Sequence, residues 1–171
     1  NSSLELKLYL KKRGVLHKEI DNFKIGYVPR NAYFFDKLTK EYSEKDILLS
    51  GLFYFDERNK KYIERFRDRL IFPINALNGS TVAFGGRIIS NKNNIAKYIN
   101  SPETLFFKKR NNLFNLDIAK KYSNQHENIF LVEGYMDVIS LNKVGVMNTV
   151  ANLGTALTES QIQLIWRFFN N

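Results

Sequence analysis

The sequence predicts an α+β protein: a mixed region of short helices and antiparallel strands, followed by a βαβα unit of a parallel α/β sheet. Three observations carry this. Short helical stretches with their own stop signals fill the first fifty residues. An Asn78-Gly79 pair then lies between two β-rich runs, a strong hairpin signal. After residue 125 short apolar runs alternate with helical spacing, the order that favours parallel pairing.

In order along the chain, Leu4 to Arg13 reads as a helix closed by Gly14, and Glu19 to Phe23 as a second. Ile25-Gly26-Tyr27-Val28 is extended and ends at Pro29. Ala32 to about Lys40 is a third helix. Ser43-Glu44-Lys45-Asp46 opens a fourth with a capping serine and acids in its first turn, and Gly51 closes it. From Leu52 the period changes. Leu52-Phe53-Tyr54-Phe55 and Leu70-Ile71-Phe72-Pro73-Ile74 are strands, the second at an edge or bulge because proline cannot donate to a ladder. The Asn78-Gly79 turn leads to Thr81-Val82-Ala83-Phe84, and Gly85-Gly86 is expected to break that strand and deliver Arg87. Residues 91–94 are a polar loop, and Leu113 to Tyr122 is helical. Asn128 to Glu133 is a strand expected to be buried on both faces. Met136 to Lys143 is a helix ended by Gly145, Thr149-Val150-Ala151 a strand, and Thr158-Glu159-Ser160-Gln161 a capping box opening the last helix. The chain is read as two units, 1–125 and 126–171.

Composition narrows the function. The 171 residues include no Cys, which excludes disulfides, thiol catalysis, Cys-ligated zinc and iron–sulfur clusters. No apolar run approaches the ~18 residues of a membrane span. The opening Asn1-Ser2-Ser3 is neither Met nor a signal peptide, so a piece of a longer protein is expected. The formal charge is +9, with +11 in residues 1–125 and −2 in 126–171; residues 58–110 alone hold 12 basic and 3 acidic groups. Such a block fits a polyanionic partner, or equally a solvated lysine-rich surface.

Two groups of residues carry candidate chemistry. Glu133 falls at the carboxyl end of a parallel strand, before Gly134 and a helix, where open α/β sheets place ligand groups. Asp137 follows one helical turn later. Paired hard carboxylates suit Mg²⁺ or Mn²⁺; a helix-capping role for Glu133 is the alternative on spacing alone. Arg65, Arg67 and Arg69 alternate, and at strand period their guanidiniums share one face as a phosphate-binding row. Arg87, Lys97, Lys108, Lys109 and Arg110 extend it. Tyr98, Phe106 and Phe107 are candidate base-stacking rings or core residues. His17 and His126 lack partners at metal-ligand spacing.

Together these segments resemble the RNA-polymerase-like core of bacterial DnaG-type DNA primases. Arg65-Phe66-Arg67-Asp68-Arg69 through Ile74, Gly79 and Phe84-Gly85-Gly86-Arg87 match its basic subdomain. Lys97-Tyr98-Ile99-Asn100-Ser101-Pro102-Glu103-Thr104 matches its most specific stretch. Val132-Glu133-Gly134-Tyr135-Met136-Asp137-Val138 resembles the start of a Toprim fold, continued by Leu153-Gly154-Thr155-Ala156 and Gln161. The resemblance implies template-dependent synthesis of short RNA primers on single-stranded DNA during replication. It assigns Glu133 to a Mg²⁺ or Mn²⁺ site and Asp137 to the same motif. Arg65, Arg67, Arg69, Arg87, Lys97 and Lys109 are assigned to template, RNA–DNA hybrid or ribonucleoside triphosphate, with Asn100 as a polar contact. It further implies that metal carboxylates lie beyond residue 171 and that zinc belongs to an absent N-terminal module. A replicative helicase would engage an absent C-terminal region, in a bacterial cytoplasmic setting without membrane contact. The segment alone is therefore expected to be inactive. Another Toprim nucleic-acid enzyme (phage primase-helicase, topoisomerase or nuclease) and a non-catalytic nucleic-acid-binding module are the competing readings.

Overall fold

A computed structural model describes residues 2–90, 95–154 and 156–170. The expected polar loop 91–94 and Thr155 of the Toprim-like stretch lie outside the described residues. The fold is of the expected class: a four-stranded antiparallel sheet, a two-stranded hairpin and a parallel two-stranded sheet, with helices between them.

Helices α1 (Ser2–Lys12) and α2 (His17–Asn22) precede strand β1 (Gly26–Val28). α3 (Phe35–Leu38) is shorter than the 32–40 stretch expected, and α4 (Glu44–Leu49) begins where Ser43 Oγ accepts the Asp46 N–H. Gly14, Gly51 and Gly145 follow their helices at φ +66°, +71° and +91°. β2 (Phe53–Asp56) and β3 (Lys61–Glu64) form a hairpin whose second strand the sequence reading missed.

The main sheet runs β1, β4 (Arg69–Asn75), β5 (Thr81–Ile88), β6 (Tyr98–Asn100). β4 and β5 are joined by the expected turn at Asn78-Gly79, closed by Ala76 N–H to Ser80 O at 2.9 Å. Pro73 sits beyond the stretch of β4 that pairs with β1, and one residue from a register shift. Its missing N–H therefore costs no ladder bond.

Two expectations fail in this half. Gly85 and Gly86 do not break β5; both are paired inside it. They are glycine because a Cβ at 85 would enter the Tyr135 ring, and one at 86 would stand 2.5 Å from the Phe66 ring. Arg65, Arg67 and Arg69 do not share a strand face either. β3 ends at Glu64, and 65–68 is a turn closed by Asp68 at φ +61°. The Asp68 N–H donates to Val28 O (2.9 Å), and its carboxylate accepts from Tyr27 and Ser90, at 3.1 and 2.8 Å. These bonds hold the turn.

In the second half, α5 (Leu116–Ala119) leads to β7 (Phe130–Val132), α6 (Tyr135–Lys143), β8 (Thr149–Ala151) and α7 (Glu159–Trp166). β7 and β8 pair in parallel. β8 is buried, but β7 is not buried on both faces: Phe130 and Leu131 are exposed. In a sheet of two strands, β7 has β8 on one side and no described strand on the other. The capping box at Thr158 forms as expected, Gln161 N–H to Thr158 Oγ1 and Thr158 N–H to Gln161 Oε1.

One apolar core joins the sheet to the parallel unit. Leu70, Phe72 and Ile74 of β4 pack with Tyr135, Val138 and Ile139 of α6. Phe72 and Tyr135 stack face to face, ring centroids 4.9 Å apart and 1° from parallel. This packing fixes α6, and hence the strand-to-helix turn carrying Glu133, against the main sheet.

Candidate active-site cleft and nucleic-acid surface

Glu133 leaves the carboxyl end of β7 and is exposed. Among the described residues it has no hydrogen bond or ion pair. The capping role falls instead to Asp137, whose Oδ2 accepts the Gly134 N–H at 3.1 Å. Both carboxylates line a cleft of about 340 Å³ with Arg13, Tyr98, Asn100 and Asn152. Hard oxygens with space for water fit a divalent cation that keeps most of its hydration. They do not complete a cage: among the described residues no cluster of three or more His, Cys, Asp or Glu is present.

Asn100 is fixed at the cleft wall. It donates to Leu153 O at 2.6 Å, and its Oδ1 accepts from Tyr135 Oη. Burial pushes the Tyr135 hydroxyl well above the usual tyrosine range, so it stays protonated as that donor.

The basic residues divide by environment. Lys97 is exposed, and its side-chain ammonium has no partner among the described residues. Lys109 and Arg110 line a second cavity that shares Asn152 and Gly154 with the cleft. Arg87, by contrast, is buried, its guanidinium 4.0 Å from the Tyr9 ring and 5.6 Å from Tyr98. It therefore supports Tyr98 from behind by cation–π contact. Arg69 is also buried and reaches the carbonyls of Gly86 and Lys97; burial lowers its pKa from the usual arginine range. Arg65 donates to Gly51 O (2.9 Å). Arg67 donates to Ala32 O and pairs with Glu64 at 2.8 Å. Neither lines the cleft. The structure thus brings Glu133, Asp137 and Asn100 together, sets Lys109 beside them, and spends the arginine donors largely on backbone carbonyls.

Sequence reasoning missed Arg13 and Asn152 as cleft residues. Asn152 follows the carboxyl end of β8, the position in the second strand that Glu133 holds in the first. That rule applied to both strands finds it. Arg13 comes from the end of α1, and no local signal aims it at the cleft.

Gln161 ties the two cavities together. The two N–H groups of its fully buried Nε2 are shared among Lys109 O (3.0 Å), Asn112 O (2.8 Å) and Asn152 Oδ1 (3.1 Å). Gln161→Ala is expected to lower unfolding stability by about 1–3 kcal/mol, because it removes a fully buried side chain and leaves half-buried acceptors without their donor. Chemical denaturation checks this; an unchanged midpoint would refute the hub.

Comparison with known proteins identifies the family. Residues 1–120 match the family model of the DNA primase catalytic core, N-terminal domain, and residues 127–171 that of the Toprim domain. A DNA primase of Clostridium acetobutylicum is 41% identical over 171 residues, covering 98% of this chain and 28% of that protein. The DNA primase of Escherichia coli K12 is 36% identical over 168 residues, covering 95% and 28%. A DnaG primase catalytic domain solved bound to single-stranded DNA superposes with TM-score 0.87 at 35% identity, over 99% of this chain and 53% of that one. The RNA polymerase domain of Mycobacterium tuberculosis primase, with a double-stranded DNA oligomer carrying a 6-nucleotide overhang, gives 0.88 at 28% identity, over 98% and 53%. The chain spans about a quarter of the length of the curated relatives it matches. With two family models covering residues 1–120 and 127–171 and relatives matched over nearly its whole length, the chain belongs to the DNA primase catalytic-core family, as that family's N-terminal domain followed by Toprim-domain sequence.

Proposed function

We propose that this segment is the template-handling surface and first catalytic carboxylate of a DNA primase, which makes short RNA primers on single-stranded DNA. The observation that carries the reading is Glu133: a free, exposed carboxylate at the end of a parallel strand, sharing a cleft with Asp137 and Asn100 beside a basic surface. The functional units are residues 1–125, handling template, and 126–171, supplying the carboxylates.

In this reading Glu133 and Asp137 hold Mg²⁺ or Mn²⁺ with further carboxylates from outside the segment. When bound, such ions stabilise charge on the attacking 3′-oxygen and the leaving pyrophosphate. Lys97 and Lys109 contact phosphates of the template, hybrid or incoming ribonucleoside triphosphate, and Arg65 and Arg67 add charge at the surface. Arg69 and Arg87 act beneath them, holding β6 and Tyr98. Asn100 presents a fixed amide to nucleotide or sugar. Pairing to a helicase, and placement at a bacterial replication fork in the cytoplasm, belong to the longer protein. The free state of Glu133 favours this over a purely binding module, in which Glu133 would serve as the cap that Asp137 already provides.

The test is primer synthesis by a full-length protein carrying this segment, on single-stranded template with ribonucleoside triphosphates. Short RNA products are expected with Mg²⁺, lost on chelation and restored by added metal. Absence of RNA with either Mg²⁺ or Mn²⁺ would contradict the proposal.

A further inference from the structure

Leu105 and Phe106 are the most exposed large hydrophobic side chains among the described residues, at 89% and 77%. Their neighbour Phe107 is fully buried. The loop that displays them is firmly built. Ser101 is buried, and its Oγ accepts the Phe84 N–H at 3.0 Å. The Thr104 N–H donates to Phe107 O (2.9 Å), and Thr104 Oγ1 accepts from the N–H groups of Phe106 and Phe107 at 3.3 and 3.1 Å. Glu103 takes the Lys109 N–H and pairs with Lys108. Pro102 lies so close over Gly51 that a Cβ there would stand 2.6 Å from its ring. The two side chains are thus held outward by an ordered backbone. Presenting apolar surface this way wastes burial unless a partner covers it.

The surroundings select the partner. Lys108, Lys109 and Arg110 follow the tip after the buried Phe107. Lys109 and Arg110 line the cavity that adjoins the Glu133 cleft. An aromatic ring beside several cations fits a planar base attached to a phosphate chain, and only an unpaired base offers its face. We propose that Phe106, flanked by Leu105, is a stacking platform for an unpaired base of single-stranded DNA passing beside the cleft. The proposal rests on the primase reading and deepens it. A preformed tip binds without the ordering cost a mobile loop would carry.

Fluorescence anisotropy of this chain tests it, with labelled oligo-dT and a matched abasic oligomer of the same backbone. Phe106→Ala is expected to weaken oligo-dT binding at least about five-fold, leaving the salt slope unchanged. Phe106→Tyr keeps wild-type affinity, and wild type and Phe106→Ala bind the abasic oligomer alike. The stacking role is overturned if Phe106→Ala binds oligo-dT as wild type does, or loses as much on abasic DNA. In either of those cases salt-dependent binding by wild type leaves the primase reading standing. If wild type binds neither oligomer at low salt, both readings fall.

Discussion

Glu133→Gln, placed in a full-length primase carrying this segment, lowers primer synthesis by roughly 100-fold or more, equivalent to about 3 kcal/mol of transition-state stabilisation. The substitution is nearly isosteric but removes one unit of negative charge. Because Glu133 is exposed and makes no bond within the described residues, the thermal midpoint and affinity for single-stranded DNA stay at wild-type values. Loss of activity without loss of fold is the signature of a metal-site carboxylate. Asp137→Ala behaves differently, since Asp137 also caps α6 through the Gly134 N–H. It costs about 1 kcal/mol of stability as well as activity. Steady-state primer synthesis and thermal melting, measured on both variants, separate the roles. Full activity in Glu133→Gln would show that this carboxylate takes no part in the chemistry.

Gly85→Ala destabilises the chain by about 2–3 kcal/mol through overpacking, a fall of roughly 5–10 °C in melting temperature. The new methyl meets the end of the Tyr135 ring, and that ring has little room to yield. It is stacked on Phe72, meets Phe114 edge-on at 4.7 Å, and donates from its hydroxyl to Asn100. The damage therefore reaches the cleft wall. Combined with Tyr135→Leu, which trims the obstructing atoms, Gly85→Ala costs much less than it does alone, a non-additivity expected of residues in contact. Calorimetry on the two single variants and the double variant measures it. Additive losses would mean that the two residues do not meet.

Features set by neighbours in the chain were legible. The Ser43 cap, the Asn78-Gly79 turn and the Thr158–Gln161 box each depend on residues within a few positions, and all form. The position of Glu133 was legible because a strand, a glycine and a helix follow one another there. Features set at long range were not. Gly85 and Gly86 read as a strand break, yet they are spaces for Tyr135 and Phe66, partners 50 and 20 positions away. Arg65, Arg67 and Arg69 alternate like a strand face, but Val28, Tyr27 and Ser90 pull Asp68 into a left-handed turn between them. The apolar run at β7 promised two covered faces. With two strands in its sheet among the described residues, Phe130 and Leu131 are left open to solvent. Among the rings, only the structure separates Phe107 in the core from Phe106 at the surface.

In the proposed function, exposed Lys97 and half-buried Lys109 beside the Glu133 cleft follow a nucleic-acid strand. Binding of this chain to single-stranded DNA across a salt series, for wild type and Lys97→Ala/Lys109→Ala, tests it most directly. Wild-type affinity should fall steeply as salt rises. The double variant should bind more weakly with a log–log slope shallower by about 1–2, two phosphate contacts being lost. Identical slopes for the two proteins, or no binding at low salt, would contradict the account.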